Sequence, residues 1–374
     1  MGSSTGENYC SQIYRTQIDY KLHDKIYKLS VVIKSLPKSQ ATKFLEDLQV
    51  FLKEKIFYKN LLPLMEIFLD AGQKFGARLY HSIKYPVNTL AFEDLRIGGY
   101  QMASRETGLD EAHCRLVLKK LGQFHGISMD LAKKNPELLK SFDCGILAKA
   151  GLDREGGLLM HYFGSNVVAL VDLISTWDDY EEITEKVTKY KDNLKENLIR
   201  ATAPIPGELK VLNHGDLWVN NILFKYENGN KQRLKDVVFV DYQMTIWGSP
   251  GFDINYFLNT SLQLNILKTK RNALIEEYHA SLQATLKRLQ YTRIPTLQDI
   301  FQAVQQRESF GFFANYGILP TVSMDKEISS DNTLDSFMNE NFAKNKVRQM
   351  FASKRLGENL KYTLRRFNDL SIWD

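Results

Sequence analysis

Cysteine is scarce in this chain, with three residues (Cys10, Cys114 and Cys144) among 374. An odd number so widely spaced supplies neither a disulfide framework nor a CxxC metal pair, and the pattern points to a reducing, cytoplasmic setting. Long apolar runs are missing too. The stretch from Val167 to Ile174 is interrupted by Asp172 and falls far short of the ~20 residues that a bilayer span requires. No apolar leader segment follows Met1, and Gly2 only partly fits an acylation signal, because Gly6 stands where Ser or Thr is required. Charge of one sign is not concentrated either. Lys+Arg number 49 against 44 Asp+Glu, a net +5 without a basic block, so there is no electrostatic footprint for nucleic acid or an anionic membrane. Fixed-period repeats and low-complexity segments are likewise lacking.

What is present is the balance of a folded protein: 44% hydrophobic and 25% charged residues. At this length the chain can form two lobes with a cleft between them. Residues 12–20 and 29–34 are β-branched and aromatic runs joined by a polar link, which predicts an antiparallel hairpin. From Gln40 to Leu62 apolar residues recur at helical spacing, and Pro63 is expected to end or bend that helix. A second strand pair is predicted at 78–82 and 88–92. The first hundred residues thus read as a small sheet with one crossing helix.

Beyond Gly98-Gly99 helical periodicity takes over, at 110–126, 155–175, 178–201, 265–289, 296–312 and 336–369. The polar stretch 323–335 reads as a loop. The expected organisation is α+β, with an N-terminal lobe over 1–95 and a larger, mainly helical lobe over 96–374. Within the helical lobe sits one β-rich island, 211–224 followed by 236–242, joined by a turn at Glu227-Asn228-Gly229-Asn230.

That island carries the chemistry. His214-Gly215-Asp216-Leu217-Trp218-Val219-Asn220-Asn221 has the form H-x-D-x-x-x-x-N, and Asp241 ends the apolar run that follows. Phosphoryl transfer needs such parts: one carboxylate to orient an attacking hydroxyl, and an amide oxygen with a second carboxylate to hold Mg²⁺ against the phosphates. Asp216, Asn221 and Asp241 match those three tasks. Each alone is better explained as a turn or cap residue; the joint spacing between apolar strands reverses that and favours the site. Upstream, Lys34 ends the strand Val31-Val32-Ile33, and Glu54 follows on the next helix. Taken singly these are a solvated strand end and a solvated helix face, whereas in a kinase-like lobe they would contact the nucleotide phosphates as a pair. Gly6, Asn8 and Ser11 lie just before the first strand, where backbone N–H groups and a hydroxyl could cover phosphates, although the other glycines of a G-x-G-x-x-G loop are absent.

Taken together, these stretches resemble the small-molecule kinases with a protein-kinase-like bilobal fold, the aminoglycoside phosphotransferase and choline kinase group. Within that group the chain is similar to the ecdysteroid kinase-like family with its CHK kinase-like domain. The matching segments are GENYCSQIYR, VVIKSLP, FLKEKIFYKNLLP, LAFEDL, GQFHGISM, HGDLWVNNILF and VFVDYQ with WGSPGFDINYFL. The resemblance implies ATP and Mg²⁺ as cofactors, Asp216 as catalytic base, and Asn221 and Asp241 as metal ligands. It makes Lys34 and Glu54 the phosphate-binding pair and sets the backbone of Glu93, Asp94 and Leu95 against adenine. Gly6, Asn8 and Ser11 become a phosphate lid, Tyr242-Gln243 stands where protein kinases have Phe-Gly, and His214 and Asp253 brace the catalytic loop. Trp218, which replaces a frequent histidine, is typical of the insect-rich branch. The family carries a further strand ahead of the lid, so the sheet is expected to lack its edge.

The implied activity is an alcohol-group phosphotransferase acting on an ecdysteroid-like steroid or xenobiotic alcohol, in hormone handling or detoxification. Two alternatives stand beside it: a silent relative that binds a hormone or protein partner, and a kinase for polar amine alcohols such as choline or an aminoglycoside. His125 reads as a core histidine with a satisfied hydrogen bond. The aromatics Tyr162, Phe163, Trp177, Phe310, Phe312, Phe313 and Tyr316 read mostly as core, some of them free to line an apolar acceptor pocket. The charged helix 185–200 reads as a solvated face.

Overall fold

A computed structural model describes residues 11–36, 46, 49–143, 145, 147, 149–152, 157–227, 230, 233–324 and 340–373. Strands β1 (Gln12–Leu22) and β2 (Lys25–Ser35) form the expected hairpin. His23 and Asp24 both take positive φ at its tip, the backbone handedness that a two-residue hairpin turn requires. β3 (Leu79–Ile83) and β4 (Thr89–Glu93) complete a four-stranded antiparallel sheet of order β1-β2-β4-β3. β1 is an edge of that sheet.

The crossing helix differs from its expectation. It begins as α1 (Val50–Ile56), widens into a π-turn over Phe57–Leu61, and continues as α2 (Leu62–Glu66). Pro63 therefore does not end it. The proline lies in the first turn after the π-turn. Residues 40–45, 47 and 48 of the expected helix lie outside the described residues.

The rest is mostly helical, with two small sheets inserted. β5 (Tyr100–Met102) pairs with the hairpin β7 (Ile222–Tyr226) and β8 (Leu234–Phe239), while β6 (Val211–Asn213) pairs with β9 (Ile246–Gly248). The hairpin closes through the Glu227 N–H to the Arg233 carbonyl, 2.8 Å; Asn228 and Gly229 are outside the described residues. The helices are α3 (Glu111–Lys134), α4 (Lys149–Leu152), α5 (Leu158–Ile174), α6 (Glu181–Asp192), α7 (Leu194–Thr202), α8 (Gly251–Thr260), α9 (Leu264–Arg288), α10 (Leu297–Gln306), α11 (Glu308–Gly317), α12 (Leu319–Val322), α13 (Glu340–Phe351) and α14 (Lys354–Asp369).

Three helices expected as single pieces are broken, at Asn193, Arg307 and Ser353, and α3 runs on past 126 to Lys134. The break at Arg307 has a visible cause. Its buried guanidinium donates to the carbonyls of Ala201 (3.1 Å) and Ala203 (2.8 Å) and pairs with Glu208. Ser353 caps α14 by accepting the Leu356 N–H. Most of the polar stretch 323–335 lies outside the described residues.

Central to this part is the parallel pair α3 and α9, in contact from Arg115–Glu277 at one end to Lys133–Thr292 at the other. Gly122 makes their contact possible: a Cβ there would lie 2.5 Å from the Tyr278 carbonyl oxygen. Of the aromatics assigned to the core, Phe163 packs edge to face on Phe313 at 4.8 Å and Phe312 on Tyr190 at 5.0 Å between ring centroids. Among the described residues, no helix is long and apolar enough to cross a membrane.

Candidate active site

Lys34 pairs with Ile13 on one side and Leu90 on the other, so it is carried in the middle of the sheet and buried against α1. Its ammonium lies 2.9 Å from Glu54 Oε1 and 2.7 Å from Asp241 Oδ1. The solvated readings of Lys34 and Glu54 are thereby corrected: they are 4% and 1% exposed, and a buried charge is tolerable only when paired. Burial acts to lower the Lys34 pKa, but Asp241 and Glu54 outweigh it and hold the ammonium above its ordinary value. Burial raises the Glu54 carboxyl, opposed by Lys34 and reinforced by Asp241.

Asp241 follows β8 with φ of 67° and ψ of 60°, a left-handed conformation that non-glycine residues seldom adopt outside functional turns. The next residue anchors it. Tyr242 is fully buried, stacks on Phe57 of the π-turn at 3.9 Å between centroids, and donates its hydroxyl to the Phe75 carbonyl at 3.1 Å. The irregular helix turn and the Asp241 turn are thus packed on each other. Gln243 is also buried, and among the described residues its Oε1 has no hydrogen-bond partner.

The loop between β6 and β7 presents Asp216 and Asn221. Gly215 is required there, since its φ is +82° and a Cβ would lie 2.0 Å from the Met244 carbonyl oxygen. Asp253 at the start of α8 accepts from the N–H groups of His214 (2.6 Å) and Gly215 (2.9 Å). The His214 ring spans the loop. Its Nε2 meets the Val240 carbonyl at 2.9 Å, so that nitrogen carries the hydrogen, and Nδ1 accepts from the Asp216 N–H at 3.3 Å. One imidazole therefore links the Asp216 loop to the residue before Asp241.

Asn221 donates through Nδ2 to both the backbone carbonyl and Oδ2 of Asp216, each at 2.9 Å. Its amide oxygen is not engaged in either of these bonds, and its backbone carbonyl accepts from the Val240 N–H at 2.9 Å, next to Asp241. Asp216 Oδ1 accepts a short hydrogen bond from the Tyr256 hydroxyl. Desolvation pushes the Asp216 carboxyl up to about 6 against hydrogen bonds from Tyr256, Asn221 and Trp218, which pull it down, while Asp241 adds to the rise.

Sequence reasoning missed Tyr256, Phe57, Tyr242 as an anchor, and the full role of His125. His125 Nδ1 lies 2.8 Å from the Tyr278 hydroxyl and Nε2 lies 3.2 Å from Asp253 Oδ2. A carboxylate only accepts, so Nε2 bears the hydrogen and Nδ1 accepts. The core reading of His125 stands, and that core contact orients the carboxylate that braces the loop.

The Glu93–Leu95 stretch is partly committed elsewhere. The Glu93 N–H goes to the Arg78 carbonyl (2.9 Å), and the Leu95 carbonyl accepts from Gly98 (3.0 Å) and Tyr100 (3.1 Å). The Glu93 carboxylate is held by Lys74 at 2.6 Å. Asp94 is buried and receives the Ser30 hydroxyl at 2.8 Å and Arg15 at 2.7 Å, so its side chain ties β1 to β2. Ser11 is buried one residue before β1; Gly6 and Asn8 lie outside the described residues.

Lys34, Glu54, Asp241, Asn221 and Asp216 therefore form one connected set drawn from the sheet, its crossing helix and two loops of the helical part. No curated protein matches the chain. A family model described as the ecdysteroid kinase-like family matches residues 5–291, a span that contains every member of this set, and the chain belongs to that family.

Proposed function

We propose that this protein is an ATP- and Mg²⁺-dependent kinase that phosphorylates a hydroxyl of a small, largely apolar molecule, an ecdysteroid-like steroid or a xenobiotic alcohol, in the cytoplasm. The observation that carries this reading is the meeting of Lys34 with both Glu54 and Asp241 at hydrogen-bond distance, with Asp216 and Asn221 on the adjoining loop. A nucleotide lies between the lobes 1–95 and 96–374, with adenine against the backbone of Glu93 to Leu95 and Ser11 on the phosphate side; Gly6 and Asn8 of the expected lid lie outside the described residues.

Lys34 neutralises phosphate oxygens and is held extended by Glu54. Asn221 and Asp241 suit Mg²⁺, a hard cation that takes a carboxylate and an amide oxygen and completes its shell with water and phosphate. Bound there, it would supply charge neutralisation to the phosphates. Asp216 accepts a hydrogen bond from the acceptor hydroxyl and takes its proton as the new O–P bond forms and the bond to the ADP leaving group breaks. A carboxyl raised to about 6 is ionised at neutral pH yet more basic than an ordinary aspartate. Aromatic rings pack next to the base, the Tyr256 ring 6.2 Å from Phe310 and Phe310 5.5 Å from Phe313; because aromatic surfaces also bind quaternary ammonium groups, choline and an aminoglycoside are the comparison substrates of the test.

The test is incubation with MgATP and a library of hydroxylated steroids and plant alcohols, read by mass spectrometry for added phosphate. A phosphorylated product is expected. Asp216→Ala should lower its rate by about 10²–10⁴-fold with nucleotide affinity nearly intact. No product across the library, or an unchanged rate in the variant, rejects the reading.

A further inference from the structure

Helix α8 braces the loop twice from one face. Asp253, in its first turn, holds the backbone N–H groups of His214 and Gly215. Tyr256 stands three residues later, one helical turn along and on the same side, and its hydroxyl donates to Asp216 Oδ1. Its ring is 4% exposed and packs beside Phe310, which in turn lies 5.0 Å from Phe252 of the same helix. The hydroxyl therefore has little freedom to leave.

Two donors to the carboxylate come from the Asp216 loop itself, Asn221 on Oδ2 and Trp218, and both move with that loop. Tyr256 is the donor from an element outside the loop, and it ties the carboxylate plane to α8. Three donors leave one of the four lone-pair positions of the carboxylate for the acceptor hydroxyl.

We propose that Tyr256 is a positioning residue, whose hydroxyl fixes the plane of the Asp216 carboxylate towards the acceptor. The proposal rests on Asp216 acting as the base. Tyr256→Phe keeps the ring and its packing and removes only the donor. The full-length protein is assayed with MgATP, water serving as the acceptor and ADP release as the readout. The variant should lose about 10-fold or more in kcat with the KM for ATP unchanged, because Tyr256 touches no group assigned to the nucleotide. In the Asp216→Ala background the same change should have no further effect on kcat.

A fluorotyrosine placed at 256 reports the contact without any turnover: its fluorine resonance should shift when Asp216 is replaced by Ala. Wild-type kcat in Tyr256→Phe, an equal loss in the Asp216→Ala background, or an unmoved fluorine signal overturns the proposal. If Asp216→Ala itself retains full turnover, the kinase reading falls as well. If that variant is dead while Tyr256→Phe is silent, only the role of Tyr256 falls.

Discussion

His125 illustrates how one side chain far from any ligand governs the site. It lies inside α3, fully buried, and holds Asp253 at 3.2 Å; Asp253 holds the loop backbone. Burial lowers its pKa despite the raising effect of Asp253, so the folded protein keeps the ring neutral while the unfolded chain protonates near 6.5. The unfolded state then binds more protons as pH falls, and the group withdraws stability at up to about 1.4 kcal/mol per pH unit below that value. His125→Gln should be less stable than the parent at pH 7.5, and the gap should narrow towards pH 5. Denaturant unfolding at both pH values checks this, and a constant gap would mean that the ring is not neutral in the fold. The residues of the candidate site were legible beforehand, because their joint spacing singled out Lys34, Asp216, Asn221 and Asp241. The brace was not, since a histidine with helical periodicity looks the same whether it fills the core or orients a carboxylate.

Helices were legible in type more than in extent. Amphipathic periodicity located most of them, but it does not report the π-turn before Pro63, the cap at Ser353 or the tertiary partners of Arg307. The π-turn at Phe57–Leu61 is the instructive case. Its extra residue brings Phe57 onto Tyr242 and Tyr58 to 4.7 Å from Phe92, a packing that local propensity alone would not select. The α3–α9 pair shows the same dependence on approach distance. Gly122→Ala introduces a methyl group 2.5 Å from the Tyr278 carbonyl oxygen and has to push two long helices apart. The expected cost is about 1–3 kcal/mol, the range for overpacking, measurable as a lowered thermal midpoint. An unchanged midpoint would show that the helices separate freely.

Across the whole molecule, the decisive contact joins residues 207 apart in sequence, Lys34 and Asp241. Asp241 is shared: it pairs with Lys34 here and is assigned to Mg²⁺ in the nucleotide complex. MgATP should therefore raise the thermal midpoint, by about 2.7 kcal/mol of stabilisation at a hundredfold excess over Kd. Asp241→Ala should abolish the Mg²⁺-dependent part of that rise in a thermal-shift titration with and without the metal. A full Mg²⁺-dependent shift in the variant would remove Asp241 from the metal site. By itself the sequence determined the family, the α+β architecture and the candidate residues of the site, because hydrophobic periodicity and short polar motifs are local properties of the chain. Tertiary structure alone decided that Lys34 and Glu54 are buried rather than solvated, that His125 serves Asp253, and that Tyr256 reaches Asp216. Those facts depend on which surfaces are excluded from water together, and a buried charge or hydroxyl takes its partner from whatever the fold places within reach.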